Sequence, residues 1–260
     1  MLIRVSLLLL VGIEVGLPKL AHGQVAEAWV RRYGNLPGGD DRPTAIAADG
    51  DGNVFVTGYS KGIGYDFATI KYSPAGVALW TNRFDGNGGD DQAFDMAIDS
   101  DGNVIVTGDS RRSGMPVGYT TIKYQTDGVP AWTNFFVASA AGNGYPHVVI
   151  GENGNVFVTG TSYNIWRGYL TITYSPTGTP LWTNIFGLAR AKAAAIGNGG
   201  SVFITGNEDL AVGGPGRYVT IAFTASGLSL WTNNYGSTFA VSAVAVSSNG
   251  NVIVTGYQGT

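Results

Sequence analysis

Asp95 and His147 stand where acid–base chemistry could be done. Each lies seven residues ahead of a Gly-Asn-Val segment, at Gly102 and Gly154, and the same place elsewhere in the chain holds Ala45, Ala193 and Ala243. A carboxylate and an imidazole at matching positions of neighbouring units would face each other, which suits a polar pair that grips a small ligand or passes a proton. A solvated channel lining is the plainer account of the same pair. The other histidine, His22, falls in an N-terminal apolar region, so His147 is the one left to a processed chain.

Acid-rich loops are the second candidate. Gly38-Gly39-Asp40-Asp41 returns as Gly88-Gly89-Asp90-Asp91, and clustered carboxylates on turns can hold Ca²⁺. Later units lack them, and Asp beside Gly is ordinary turn chemistry. Asp49-Gly50-Asp51-Gly52-Asn53 likewise resembles the start of a Ca²⁺ loop, yet its counterparts read Glu152-Asn153-Gly154-Asn155 and Ser248-Asn249-Gly250-Asn251. Hairpin turns explain them all, and no metal or cofactor is expected. A third candidate is Trp166, with Tyr163 and Arg167 beside it, the composition of an interface anchor.

These residues sit on a repeat. Gly52-Asn53-Val54-Phe55-Val56-Thr57-Gly58 returns at Gly102, Gly154, Gly200 and Gly250, at a period of about 50 residues. Trp followed four residues later by an aromatic is the second marker, at Trp29/Tyr33, Trp80/Phe84, Trp132/Phe136, Trp182/Phe186 and Trp231/Tyr235. A third, aromatic-x-Thr-Ile-x-aromatic, covers Phe67 to Tyr72 and recurs at Tyr119, Tyr169 and Tyr218. Each unit therefore holds four short runs of branched and aromatic residues between turn signals, termed strands a to d.

Four strands per unit predict a β-propeller blade. Ala47, Ala97, Val149, Ala195 and Ala245 share one place on strand a, small enough for strands converging on an axis. Strands a and b, and strands c and d, are joined by short turns rich in Gly. Both connections fall on one rim, and the longer, variable b-to-c and d-to-a loops fall on the other. Binding belongs on the variable rim. The fixed spacing of the repeated Trp residues points to blade packing rather than a sugar ladder.

Composition limits the function classes. With 40 Gly and 13% charged residues the chain is turn-rich, while 44% hydrophobic content supplies a core. A net charge of −3 without basic clusters excludes a nucleic-acid partner, and the absence of Cys excludes disulfides and thiolate chemistry. Met1 to Arg4 is a basic start, Val5 to Ile13 an apolar stretch, and Ala21 and Gly23 are small: residues 1–23 read as a signal peptide, and residues 24–260 as the repeat domain. Secretion or residence in the cell envelope follows, with no membrane insertion after cleavage.

The units, for example Asp101 to Gly108 followed by Tyr119 to Tyr124, resemble the bacterial beta-propeller repeats called SBBP-type. The resemblance covers Trp29 to the end and brings no catalytic residues. The expected fold is an all-β propeller of about five four-stranded blades, the last incomplete, or a fragment of a larger propeller. Trp29 to Tyr33, a strand d without its own a, b and c, is expected to pair with the final blade.

The expected function is non-catalytic binding of a protein or glycan through the variable-loop face, with Trp166, Tyr163, Arg167, Asp95 and His147 as its residues. Two alternatives stand beside it. One is a glycoside hydrolase-like enzyme with Asp90, Asp91 and Asp95 as acids; the other is a purely structural spacer.

Overall fold

The computed structural model describes residues 2–5, 27–34, 39–138, 144–162, 168–187, 189–208, 217–236 and 239–258. Branched and ring side chains pack well on a pleated surface, and the runs that carry them become strands. Leu2–Val5 (β1) and Trp29–Arg32 (β2) form an antiparallel pair. The first complete sheet comprises Asp41–Ala48 (β3), Val54–Lys61 (β4), Tyr65–Tyr72 (β5) and Ala78–Phe84 (β6). The second comprises Asp91–Ile98 (β7), Val104–Ser110 (β8), Gly118–Tyr124 (β9) and Pro130–Val137 (β10).

The third holds His147–Ile150 (β11), Val156–Ser162 (β12), Gly168–Tyr174 (β13) and Pro180–Phe186 (β14). The fourth holds Ala189–Ile196 (β15), Val202–Glu208 (β16), Arg217–Phe223 (β17) and Ser229–Tyr235 (β18). Phe239–Val246 (β19) and Val252–Gln258 (β20) pair as strands a and b of a fifth unit. Each four-stranded sheet is a meander in chain order, the blade that four runs per unit predict. Among the described residues, no helix is long and apolar enough to cross a membrane.

The first strand of each sheet meets the first strand of the next: β3 touches β7, β7 touches β11, β11 touches β15 and β15 touches β19. The a strands thus line the axis, as their small residues require. Near its variable-rim end, the a strand carries a one-residue bulge in β3, β7, β15 and β19, at Thr44, Phe94, Lys192 and Ser242. A bulge re-aims side chains at the end of a strand. In these four units the glycine that closes strand b, Gly58, Gly108, Gly206 or Gly256, stands against it. A Cβ on Gly108 would lie 2.1 Å from the carbonyl oxygen of Gln92, closer than any side chain tolerates.

The core lies between blades. Phe55 and Phe67 of the first blade pack with Val104, Val106, Ile122 and Tyr124 of the second. Ile105 and Tyr119 pass the pattern on to the third blade, and Phe157 and Tyr169 to the fourth. Strands b and c are therefore buried on both faces, whereas strand d alternates between solvent and protein.

Strand d clasps the next blade. Trp132 donates Nε1–H to the Pro176 carbonyl at 3.1 Å, and Asn134 donates Nδ2–H to the Gly178 carbonyl at 2.7 Å. The indole lies where a Cβ on Gly178 would stand, and that glycine has φ 85°, so no other residue fits the turn. Trp80 with Asn82 and Trp182 with Asn184 repeat the clasp one blade earlier and one later.

The expected pairing of Trp29–Tyr33 with the final unit is not found among the described residues. Trp29 donates to Pro74 and Arg31 replaces Asn in bonding the Gly76 carbonyl, so β2 clasps the first blade as a strand d does. Trp29 and Tyr33 cover its Val54, Val56, Ile70 and Tyr72. Among the described residues, the strand bonded to β2 is β1, with Val5 opposite Trp29 just as Lys71 stands opposite Trp80 in the first blade. Among the described residues, β20 is bonded to β19 alone. In a complete blade strand d reaches strand b only through strand c.

Candidate functional site

The rim of short turns carries a groove of about 610 Å³ lined by Asp49, Asp51, Lys71, Asp99 and Asp101. Two of its four carboxylates, those of Asp49 and Asp99, are committed to the turns. Asp49 accepts hydrogen bonds from the backbone of Asp51 at 3.1 Å and of Asn53 at 2.8 Å, and faces Lys71 Nζ at 3.8 Å. Asp99 does the same with Asn103 and pairs with Lys123 at 2.9 Å. Burial pushes both carboxyls up, yet the hydrogen bonds and the lysines outweigh it, and both settle below the ordinary carboxylate range. Turn chemistry accounts for these acids, as the sequence indicates.

The variable rim differs from blade to blade. Asp95 and His147 do meet across the second and third blades, with His147 Nδ1 at 3.4 Å from Asp95 Oδ2. The same oxygen accepts the Val148 backbone N–H at 3.0 Å, so Asp95 joins two neighbouring inner strands while one side of the pair stays open to solvent. Thr44 makes the corresponding link from the first blade, donating to the Ala93 carbonyl at 3.0 Å.

The paired acids divide. Asp40 is held below its ordinary range by hydrogen bonds from Arg42 and then from Tyr65. Asp90 accepts the Tyr65 backbone N–H at 3.1 Å, tying the first blade to the second. Asp91 is buried, which raises its pKa, and accepts from Ser110 and from Gly86 N–H. Among the described residues, Asp66, Asp85 and Asp91 offer oxygens within 4.8 Å of one another. The Arg83 guanidinium on Asp66 and the backbone donors on Asp85 already engage that trio. Tyr163, Trp166 and Arg167 lie outside the described residues.

Residues 28–66 match the family model described as SBBP, beta-propeller repeat. The markers within that stretch recur through the later units, and each unit from the first to the fourth builds the same blade. The fold is a β-propeller of repeated blades. No curated protein matches the sequence.

Solved structures match the propeller at low identity. A protein of unknown function from Bacteroides caccae is 14% identical, with 90% of this chain and 76% of that one covered and a TM-score of 0.54. A protein of unknown function from Dyadobacter fermentans is 11% identical, with 82% and 77% covered and a TM-score of 0.50. An ACO/RPE65 chimera is 14% identical, with 84% and 57% covered and a TM-score of 0.51. Likeness at these identities speaks for the fold alone.

Sequence reasoning missed Asp109. It lies one residue before the end of strand b of the second blade, 3% exposed, and its Oδ2 accepts the backbone N–H of Gly144 at 2.9 Å and, more weakly, of Tyr145 at 3.4 Å. Among the described residues, its Oδ1 has no hydrogen-bond partner. Burial pushes the carboxyl up to about 7, against the pull of those two N–H groups and Arg111. The available signal was slight: a lone Asp where other units have Tyr59, Thr161, Asn207 and Tyr257.

This shift predicts a pH effect on stability. A carboxyl with a higher pKa folded than unfolded binds its proton more tightly in the folded chain. Stability from Asp109 is therefore present below about pH 4 and declines as the pH rises toward about 7, by up to about 1.4 kcal/mol per pH unit. Asp109→Asn should flatten that decline in urea melts between pH 4 and 7. Parallel slopes for the two proteins would show that Asp109 ionises as freely folded as unfolded.

Proposed function

We propose that this propeller is an exported, non-catalytic binding protein that engages a protein or glycan through its variable rim. One observation carries the reading: the turn rim repeats one geometry whose buried carboxylates, Asp49 and Asp99, are spent on turns, whereas the variable rim holds non-repeating groups open to solvent. Asp95 with His147, and the exposed Tyr145, are of that kind. Export is supported by the basic start and apolar stretch at the N-terminus.

Replacing Tyr163, Trp166 and Arg167 together with Ala, and Asp95 with His147 in a second variant, should weaken binding of the physiological partner with little change in melting temperature. Unchanged binding in both would place the binding surface elsewhere.

One observation favours the hydrolase-like alternative, namely a carboxyl held near neutral pH at Asp109 beside this rim. Release of reducing sugar from a polysaccharide, lost in Asp109→Asn, would replace the binding reading with that one.

A further inference from the structure

Four aromatic rings run across the variable rim from the first blade to the third. Tyr65 and Tyr59 have centroids 5.3 Å apart at 85°, Tyr59 and Phe94 6.3 Å at 67°, and Phe94 and Tyr145 4.8 Å at 60°. None of them belongs to the repeated Trp and strand-c aromatic markers. The places of Phe94 and Tyr145 in other units hold Thr44, Lys192 and Ser242, and Pro43, Ala191 and Val241. Blade packing therefore does not demand these two rings.

Tyr145 is 55% exposed and held at φ 48°, a left-handed conformation costly for a side chain of its size. The buried Asp109 carboxylate grips the N–H groups of Gly144 and Tyr145 and fixes that turn. An exposed ring pinned by a buried acid is organised in advance of any ligand, which lowers the entropy that binding must overcome. The bulge in β7 aims Phe94 between Tyr59 and Tyr145, placing the rings over the inner strands.

Hydrogen-bonding groups flank the rings at both ends. Asp95 and His147 follow closely on Phe94 and Tyr145 in the chain, and Asp40, with Arg42 against it, accepts from the Tyr65 hydroxyl at 3.0 Å. A sugar ring has this polarity in reverse, an apolar C–H face edged by hydroxyls that donate to carboxylates and accept from guanidinium and imidazole. Single-stranded nucleic acid would also stack, but it needs a basic track, and the chain's net charge is −3.

We infer that this aromatic path is a saccharide-binding site for a neutral oligosaccharide, stacked on Tyr145 and Phe94 with hydroxyls on Asp95 and His147. The inference rests on the variable rim being the binding face and names the ligand class for it.

Titration calorimetry with cello-, xylo-, arabino- and chito-oligosaccharides tests it. At least one should bind, Tyr145→Ala and Phe94→Ala should each weaken it tenfold or more, and Tyr145→Phe, which keeps the ring, should bind within threefold of the wild type. Melting curves identify any variant that merely unfolds, and Tyr145→Ala, exposed as it is, should melt with the wild type. No binding across the four series, or binding indifferent to both alanine variants, overturns the inference. If Tyr145→Ala instead abolishes binding of a protein partner, the variable rim stands as the binding face and the saccharide assignment alone falls.

Discussion

Trp132→Ala should lower the unfolding free energy by about 3 kcal/mol, the lower end for a large buried aromatic because one edge of the ring reaches solvent. Three losses combine. The indole leaves the core between the second and third blades, its N–H bond to the Pro176 carbonyl disappears, and Gly178 loses the surface that seats it. Trp231 carries the same sequence marker, but its ring is 40% exposed, with a single ring contact, to Phe203, among the described residues. Its replacement by Ala should cost less than half as much. Chemical denaturation of the two variants decides the matter, and equal losses would mean that the clasp onto the next blade contributes nothing.

Gly108→Ala should be damaging out of proportion to one methyl group. The added Cβ would meet the Gln92 carbonyl oxygen at 2.1 Å, Ala93 Cα at 2.6 Å and the Phe67 ring at 2.7 Å. Two of those neighbours are backbone, so β7 and β8 must separate. Overpacking of this kind costs about 3 kcal/mol, which for a chain of this size lowers the melting temperature by roughly 6 to 12 °C. Gly50→Ala is the control, since a Cβ there would have nothing within 4 Å of it, and it should fall within about 0.5 kcal/mol of the wild type. Matching melting temperatures for the two variants would mean that the bulge yields freely.

Much of this architecture is legible in the sequence because the blade repeats two things that spacing reveals. Turn residues recur at fixed offsets and strand residues recur between them, so blades, rims and the small inner positions follow from register. The Asp95–His147 pair was legible for the same reason: matching offsets in adjacent units became adjacent strands. What the register omits is which side of a blade a residue serves. The Trp marker announces packing, but the Pro176 carbonyl that Trp132 bonds lies 44 residues away, on the next blade's turn. The glycine closing strand b in the second blade is equally opaque, because its reason is a bulge on another strand.

Asp109 and the aromatic path escaped for the opposite cause. They are single residues where the repeat is broken, and a broken repeat carries no spacing to read. Only three dimensions bring Tyr59, Phe94 and Tyr145 from three units onto one rim. Function gathers where the pattern fails, because positions that every blade needs for packing are not free to vary.

The division of labour between the two rims is tested most directly by backbone hydrogen exchange of the whole protein with and without its bound partner. New protection should appear at residues 59–66, 91–95 and 144–148, while exchange at the a–b and c–d turns stays as it was. Protection confined to those turns, with the variable rim unchanged, would contradict the account.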